Sequence, residues 1–105
     1  MREIKFRSWD KINSFMEDNI QHLDSLNEYL SKDKYNVMQF TGLKDKNGVD
    51  IYEGDLLEFD GGNQLAVFFE AGSFGCADHY LNFLSFCDWN MLIAEVVGNI
   101  HENKI

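Results

Sequence analysis

The chain has 105 residues, a formal net charge of −9, 45% hydrophobic residues, no proline and two cysteines. This length predicts one domain spanning residues 1–105 with one modest core, and nine Phe, four Tyr and two Trp supply bulky side chains to fill it. Two cysteines exclude a disulfide framework and point to a reducing cytoplasm. No stretch approaches the roughly 18 apolar residues of a membrane span, so a soluble protein is expected. Charge placement is uneven. Residues 1–46 hold eight of the nine Lys and Arg, whereas residues 47–103 hold ten acids and no Lys or Arg. That acidic half has nothing to neutralise phosphates, so direct nucleic-acid binding is disfavoured. A basic protein partner, or a plain solvated surface, fits it better.

Taken in chain order, Ile4 and Phe6 alternate with charged residues and predict a first strand. The period then changes. Met16, Ile20, Leu23, Leu26 and Leu30 fall at helical spacing, and Ser14 with Glu17 fits a capping box. A helix over about 14–31 is expected, with Glu28 and Lys32 as an i,i+4 ion pair. Strands are predicted at 35–41, 56–59, 64–70 and 91–100, where aromatic and branched residues concentrate. Residues 60–63 (DGGN) and 72–75 (GSFG) read as breaks, and 79–87 (HYLNFLSFC) fits neither period.

The segment 41–59, TGLKDKNGVDIYEGDLLEF, carries three glycines and seven charged residues. It fails as a calcium-binding EF-hand loop, because Val49 and Asp50 stand where a ligand and the obligatory glycine belong. It reads instead as a hairpin with the loop Lys46–Gly48, closed by Gly48 in the left-handed region. This register sets Asp45 against Val49, Lys44 against Asp50, Leu43 against Ile51 and Gly42 against Tyr52. A two-residue Asn-Gly loop would oppose Asp45 to Asp50, two like charges.

Asp50, Glu53, Asp55, Glu58 and Asp60 remain as candidate site residues. No His, Lys or Arg accompanies them on the C-terminal side, and their spacing matches no metal or acid–base constellation. Cys76, Asp78, His79 and Cys87 lack the paired short spacings of a zinc site. No catalytic, cofactor or metal residue is therefore assigned, and the chain is expected not to be an enzyme. His22 and His101 read as surface residues, while Trp9 and Trp89 fit core or interface equally.

The quoted hairpin also carries a resemblance. MREIKFRSWD at 1–10, QFTGLKDKNGVDIYEGDLLEF at 39–59 and EVVGNIHEN at 95–103 occur in that order, with AVFFEAGSFG at 66–75 as a weaker match. In this the chain resembles the YopX family, small proteins encoded largely by phages and prophages. The segment 14–31 is longer and more helical than the family pattern, and no proline follows the last strand. The resemblance implies a mainly β fold of small barrel-like or strongly bent antiparallel sheets. It implies no established activity and no catalytic residues.

Three function classes compete. One is a phage accessory protein that binds a host defence or nucleic-acid-binding protein through an acidic face, with carboxylates standing in for phosphates as in a DNA mimic. In that reading Asp50, Glu53, Asp55, Glu58 and Asp60 contact a basic surface in the host cytoplasm. The second is a self-assembling accessory module, suggested by the many Phe residues in 59–86, with Phe68 and Phe69 on opposite faces of one strand. The third, an enzyme, is the weakest. The first is preferred, with a homo-oligomer expected and with no cofactor and no direct contact to nucleic acid or membrane.

Overall fold

A computed structural model describes residues 4–21, 23–59, 64–70, 72–77, 83–85 and 94–102. The protein is mainly β, with two antiparallel sheets, one of them curled into a half-barrel. The first sheet contains β1 (Phe6–Asp10), β2 (Phe15–Glu17), β3 (Tyr35–Lys44) and β4 (Asp50–Tyr52), in the order β2-β1-β3-β4. The second contains β5 (Asp55–Glu58), β6 (Gln64–Glu70), β7 (Ser73–Ala77), β8 (Phe83–Ser85) and β9 (Glu95–Asn99), in the order β8-β7-β6-β5-β9. One helix, α1 (Leu23–Ser31), links β2 to β3.

The expected helix over 14–31 is corrected at its N-terminal end. Residues 15–17 are a strand paired with β1, with Trp9 opposite Met16. The Asp10 carboxylate explains the change. Its Oδ1 accepts the amides of Ile12 (2.9 Å) and Asn13 (3.0 Å), which tightens the β1–β2 turn. Ser14, the expected helix cap, has φ +53° and belongs to that turn. Strand pairing thus overrides a local capping signal. The predicted Glu28–Lys32 pair is present at 3.0 Å, on the exposed side of α1. Met16 and Ile20 were placed on the helix stripe but lie outside it. Ile20 is buried, and its amide donates to the Phe6 carbonyl.

The hairpin at 45–49 forms as expected at its tip. Asp45 N–H donates to Val49 O at 2.9 Å, Gly48 N–H donates to Asp45 O at 3.1 Å, and Gly48 has φ +80°. Lys44 lies opposite Asp50. Beyond that pair the expected register fails. Phe40, not Gly42, faces Tyr52, because β3 bulges between Phe40 and Lys44. Gly42 takes φ +89° inside the bulge, and the Thr41 hydroxyl donates to Ile51 O at 2.8 Å. The bulge keeps Phe40 and Tyr52 in contact, with ring centroids 5.6 Å apart.

Strand β6 has the bounds predicted for it, and β5 is displaced by one residue from its expected position. The break expected at 72–75 shrinks to the turn at Gly72, since Ser73–Ala77 pairs along β6. The DGGN turn and residues 91–93 of the expected last strand lie outside the described residues. The core gathers Ile51, Leu57, Phe59, Val67, Cys76 and Ala94, with Leu65 and Val96 packed against it. Ile51 comes from the first sheet, so one apolar cluster joins the two. Phe69 is 52% exposed and meets Phe74 edge-on at 4.9 Å, whereas Phe68, on the other face, is half-buried. Among the described residues no helix is long and apolar enough to cross a membrane.

Candidate functional site

Of the five carboxylates singled out in the sequence, the four among the described residues do not share one face. Asp50 sits between two cations, with Lys5 Nζ on Oδ2 and Lys44 Nζ on Oδ1. Burial alone would raise its pKa, but the two lysines outweigh burial and hold the carboxyl below its ordinary value. Glu53, in the β4–β5 turn, folds back on β3. Its Oε1 accepts the Gln39 amide at 3.3 Å and its own amide donates to Gln39 O at 2.9 Å. Asp60 lies outside the described residues.

Asp55 corrects the expectation most clearly. It is 1% exposed, its Oδ1 pairs with Arg7, and its Oδ2 accepts the Tyr52 amide at 2.7 Å. Burial pushes this carboxyl above its ordinary value, and Arg7 and the Tyr52 amide only partly offset that. The Arg7 guanidinium in turn lies over the Tyr52 ring, 4.5 Å from its centroid. Asp55 is therefore an internal tie between β1 and β5.

These contacts share one cause. Lys5, Arg7, Lys44 and Lys46, all from the balanced N-terminal half, reach acids of the C-terminal half: Asp50, Asp55, Asp50 and Glu95 respectively. The lopsided charge along the chain is partly cancelled in space. Lys5, Arg7, Asp18, Lys44, Asp50 and Tyr52 line a groove of about 480 Å³. Its described cations already face carboxylates.

Glu58 stands apart. It is half-buried on the face of β5 opposite the buried Leu57, and it lies in direct register with Glu95 on β9. Two carboxylates opposed across a ladder repel. Their described neighbours offset this weakly. Gln64 Nε2 donates to Glu58 Oε2 at 3.3 Å, Asn47 Nδ2 lies 3.5 Å from Glu95 Oε1, and Lys46 Nζ lies 3.8 Å from Glu95 Oε2. Glu95 was counted in the acidic total but not placed with Glu58. Only the pairing of β5 with a strand some forty residues away brings the two together.

Asp45 was read as a turn residue and does more than that. Its Oδ1 accepts the amides of Asn47 (2.8 Å) and Val49 (2.9 Å), and its Oδ2 accepts the Val96 amide of β9 at 2.9 Å. The Lys46 amide adds a bond to Ala94 O at 3.0 Å. The hairpin tip of the first sheet thus binds the outer edge of the second, beside Glu95.

The other candidates fare as follows. Cys76 is buried and burial pushes its thiol up to about 12, which makes it a poor nucleophile. Asp78, His79 and Cys87 lie outside the described residues, as do His22 and Trp89. Among the described residues no three His, Cys, Asp or Glu gather as a metal site. His101 is not the free surface residue expected. It stacks over the buried Trp9, with ring centroids 6.0 Å apart, and its Nδ1 lies 3.5 Å from Asn36 Nδ2. A second cleft of about 550 Å³ opens beside this pair, lined also by Lys11 and Ser14.

Two bent antiparallel sheets joined through a hairpin tip define a small mainly β domain, in which the described carboxylates Asp45, Glu53 and Asp55 bind its own backbone. The family pattern described as YopX protein matches residues 5–104, and the chain belongs to the YopX family. Its fold is similar to that of the crystal structure of protein EF1440 from Enterococcus faecalis, with a TM-score of 0.73 and 28% sequence identity. The match covers 98% of this chain and 96% of that one. A comparison with curated proteins finds no match.

Proposed function

We propose that the protein is a non-enzymatic phage accessory protein of the host cytoplasm that binds a basic surface on a host defence or nucleic-acid-binding protein. The contact is centred on Glu58 and Glu95. The observation that supports this is their direct opposition across β5 and β9. Like charges in register lower the stability of the pair of strands, and a guanidinium or ammonium from a partner would relieve them. Asp50 and Asp55 drop out of the binding face, because lysines and Arg7 already hold them. The remaining net charge of −9 favours attraction to a basic partner over contact with nucleic acid.

The test is capture of partners from host lysate, followed by binding kinetics with wild type and a Glu58→Lys/Glu95→Lys variant. Association should slow as salt rises, since exposed charges are screened beyond roughly 8–10 Å. A folded double variant that associates as fast as wild type would eliminate this reading. A second reading, self-assembly, is favoured by Phe69, which presents half of its surface to solvent beside Phe74. A concentration-dependent oligomer that is lost in Phe69→Ser would support it.

A further inference from the structure

Asn47 and Gly48 form the tip of the hairpin whose Asp45 holds β9, and both are exposed. An Asn followed by Gly is the pairing in which a backbone amide most readily attacks the side-chain amide before it, because no Cβ shields the nitrogen. A Cβ placed at Gly48 would meet nothing within 4 Å, so neighbouring groups do not crowd this peptide. The side chain is also placed. Asn47 Nδ2 lies 3.5 Å from Glu95 Oε1, an exposed contact that orients the amide toward a carboxylate.

We infer that Asn47 is a site of spontaneous deamidation whose product releases the hairpin tip from β9. The step is balanced without a co-reactant other than water. The Gly48 nitrogen bonds to Asn47 Cγ, the Cγ–Nδ2 bond breaks, and ammonia leaves carrying the Gly48 amide proton. Water then opens the cyclic imide. Cleavage between Cγ and the Gly48 nitrogen gives aspartate. Cleavage at the main-chain carbonyl gives isoaspartate, with the backbone routed through Cβ and Cγ.

The native contact that restrains the reaction is the Gly48 amide donating to Asp45 O at 3.1 Å. Opening of an exposed tip frees that amide without unfolding the sheets. Both products lose the Nδ2 donor to Glu95 and add a negative charge to the tip. In aspartate the new carboxylate replaces that donor, and in isoaspartate it hangs from Cα. Isoaspartate also lengthens the chain inside a three-residue loop, so Asp45 can no longer accept from Asn47, Val49 and Val96 together. The change is one-way and proceeds at the protein's own chemical rate. It shares the Asn47–Glu95 contact with the acidic-pair reading but rests on the Asn47–Gly48 peptide and the Asp45 bonds, not on the Glu58–Glu95 opposition.

The experiment incubates the intact protein in mildly alkaline buffer and follows residues 45–49 by peptide mass, by isoaspartyl methyltransferase labelling and by hydrogen exchange at the Val96 amide. The expected result is amide-to-acid exchange at Asn47, isoaspartate labelling there, and loss of Val96 protection in the converted fraction. Asn47→Ser should show no conversion and should keep that protection. If the folded protein retains its Asn47 amide while the denatured chain converts, the native turn blocks the chemistry and the inference fails. Conversion that leaves Val96 protection unchanged overturns the release.

Discussion

Asp45 and Val96 are joined across the two sheets by a 2.9 Å hydrogen bond from the Val96 amide to Oδ2, while Oδ1 of the same carboxylate closes its own hairpin. Three amides converge on one side chain that is 5% exposed. Removing it leaves those donors without their acceptor. Asp45→Ala is expected to lose about 3 kcal/mol or more, since a bond to a charged group contributes about 1.5–3 kcal/mol. Asp45→Asn should restore only part of this, because its NH2 would replace one of the two accepting oxygens. Urea denaturation of the three proteins checks the order.

The acid limb of stability should depend on Asp50. Burial would raise this carboxyl, but Lys44 and Lys5 hold it below its ordinary value of 3.8. As pH falls through 3.8 the unfolded chain takes up the proton first, so the stabilisation present above that value is lost as pH falls through the lower folded value. Asp55 acts in the opposite sense, because its folded pKa is raised and its proton is taken up first by the folded chain. Asp50→Asn removes only the first contribution. Its stability should therefore fall less steeply than wild type on acidification below 3.8, as followed by circular dichroism. Equal slopes would show that the two lysines stabilise nothing through Asp50.

Arg7 and Asp55 are nearly enclosed, with side chains 11% and 2% exposed. Arg7→Met strands a buried carboxylate and is expected to cost about 3–5 kcal/mol. Asp55→Asn keeps an acceptor for the Tyr52 amide while removing the charge. The double variant Arg7→Met/Asp55→Asn should therefore recover more than half of the Arg7→Met loss. A double variant no more stable than Arg7→Met would show that ring contact over Tyr52, not charge pairing, dominates.

Gly54 and Gly48 offer a matched pair of backbone tests. Both have positive φ, +89° and +80°. At Gly48 an added Cβ finds open space, so Gly48→Ala should cost only the conformational strain of about 1–2 kcal/mol. At Gly54 the same atom would stand 3.0 Å from Met38 Sδ, in a turn whose N–H donates to Val67 O and whose C=O accepts from Ile100. Gly54→Ala should lower the melting temperature further than Gly48→Ala. The reverse order would mean that Met38 moves aside without cost.

What the sequence disclosed follows the range of each signal. The tip of the 45–49 hairpin, the strand at 64–70 and the Glu28–Lys32 pair are local, and period or turn chemistry read them directly. The capping box at Ser14 was also local but lost to the pairing of Phe15–Glu17 with β1. No spacing rule marks the bulge at Thr41–Leu43. The candidate site was the least legible part. Asp50, Asp55 and Glu58 lie within nine residues of one another, yet their environments are set by Lys5, Arg7 and Glu95, far away in sequence. Counting charges along the chain could not assign one acid to a lysine clamp, one to the interior and one to a repelling pair.

The partnership of β5 with β9 has a consequence for how the protein is made. Strand β5 emerges from the ribosome some forty residues ahead of β9, so one side of it must wait for its final neighbour. Until then its backbone groups on that side lack the β9 ladder, and the Asp45 carboxylate lacks the Val96 amide. Chains released before that strand is complete would therefore present an open sheet edge and an unspent acceptor together, which suits recognition by chaperones or proteases. Docking of β9 closes both at once. Arrival of one strand thus finishes a sheet edge and a buried carboxylate shell in a single step.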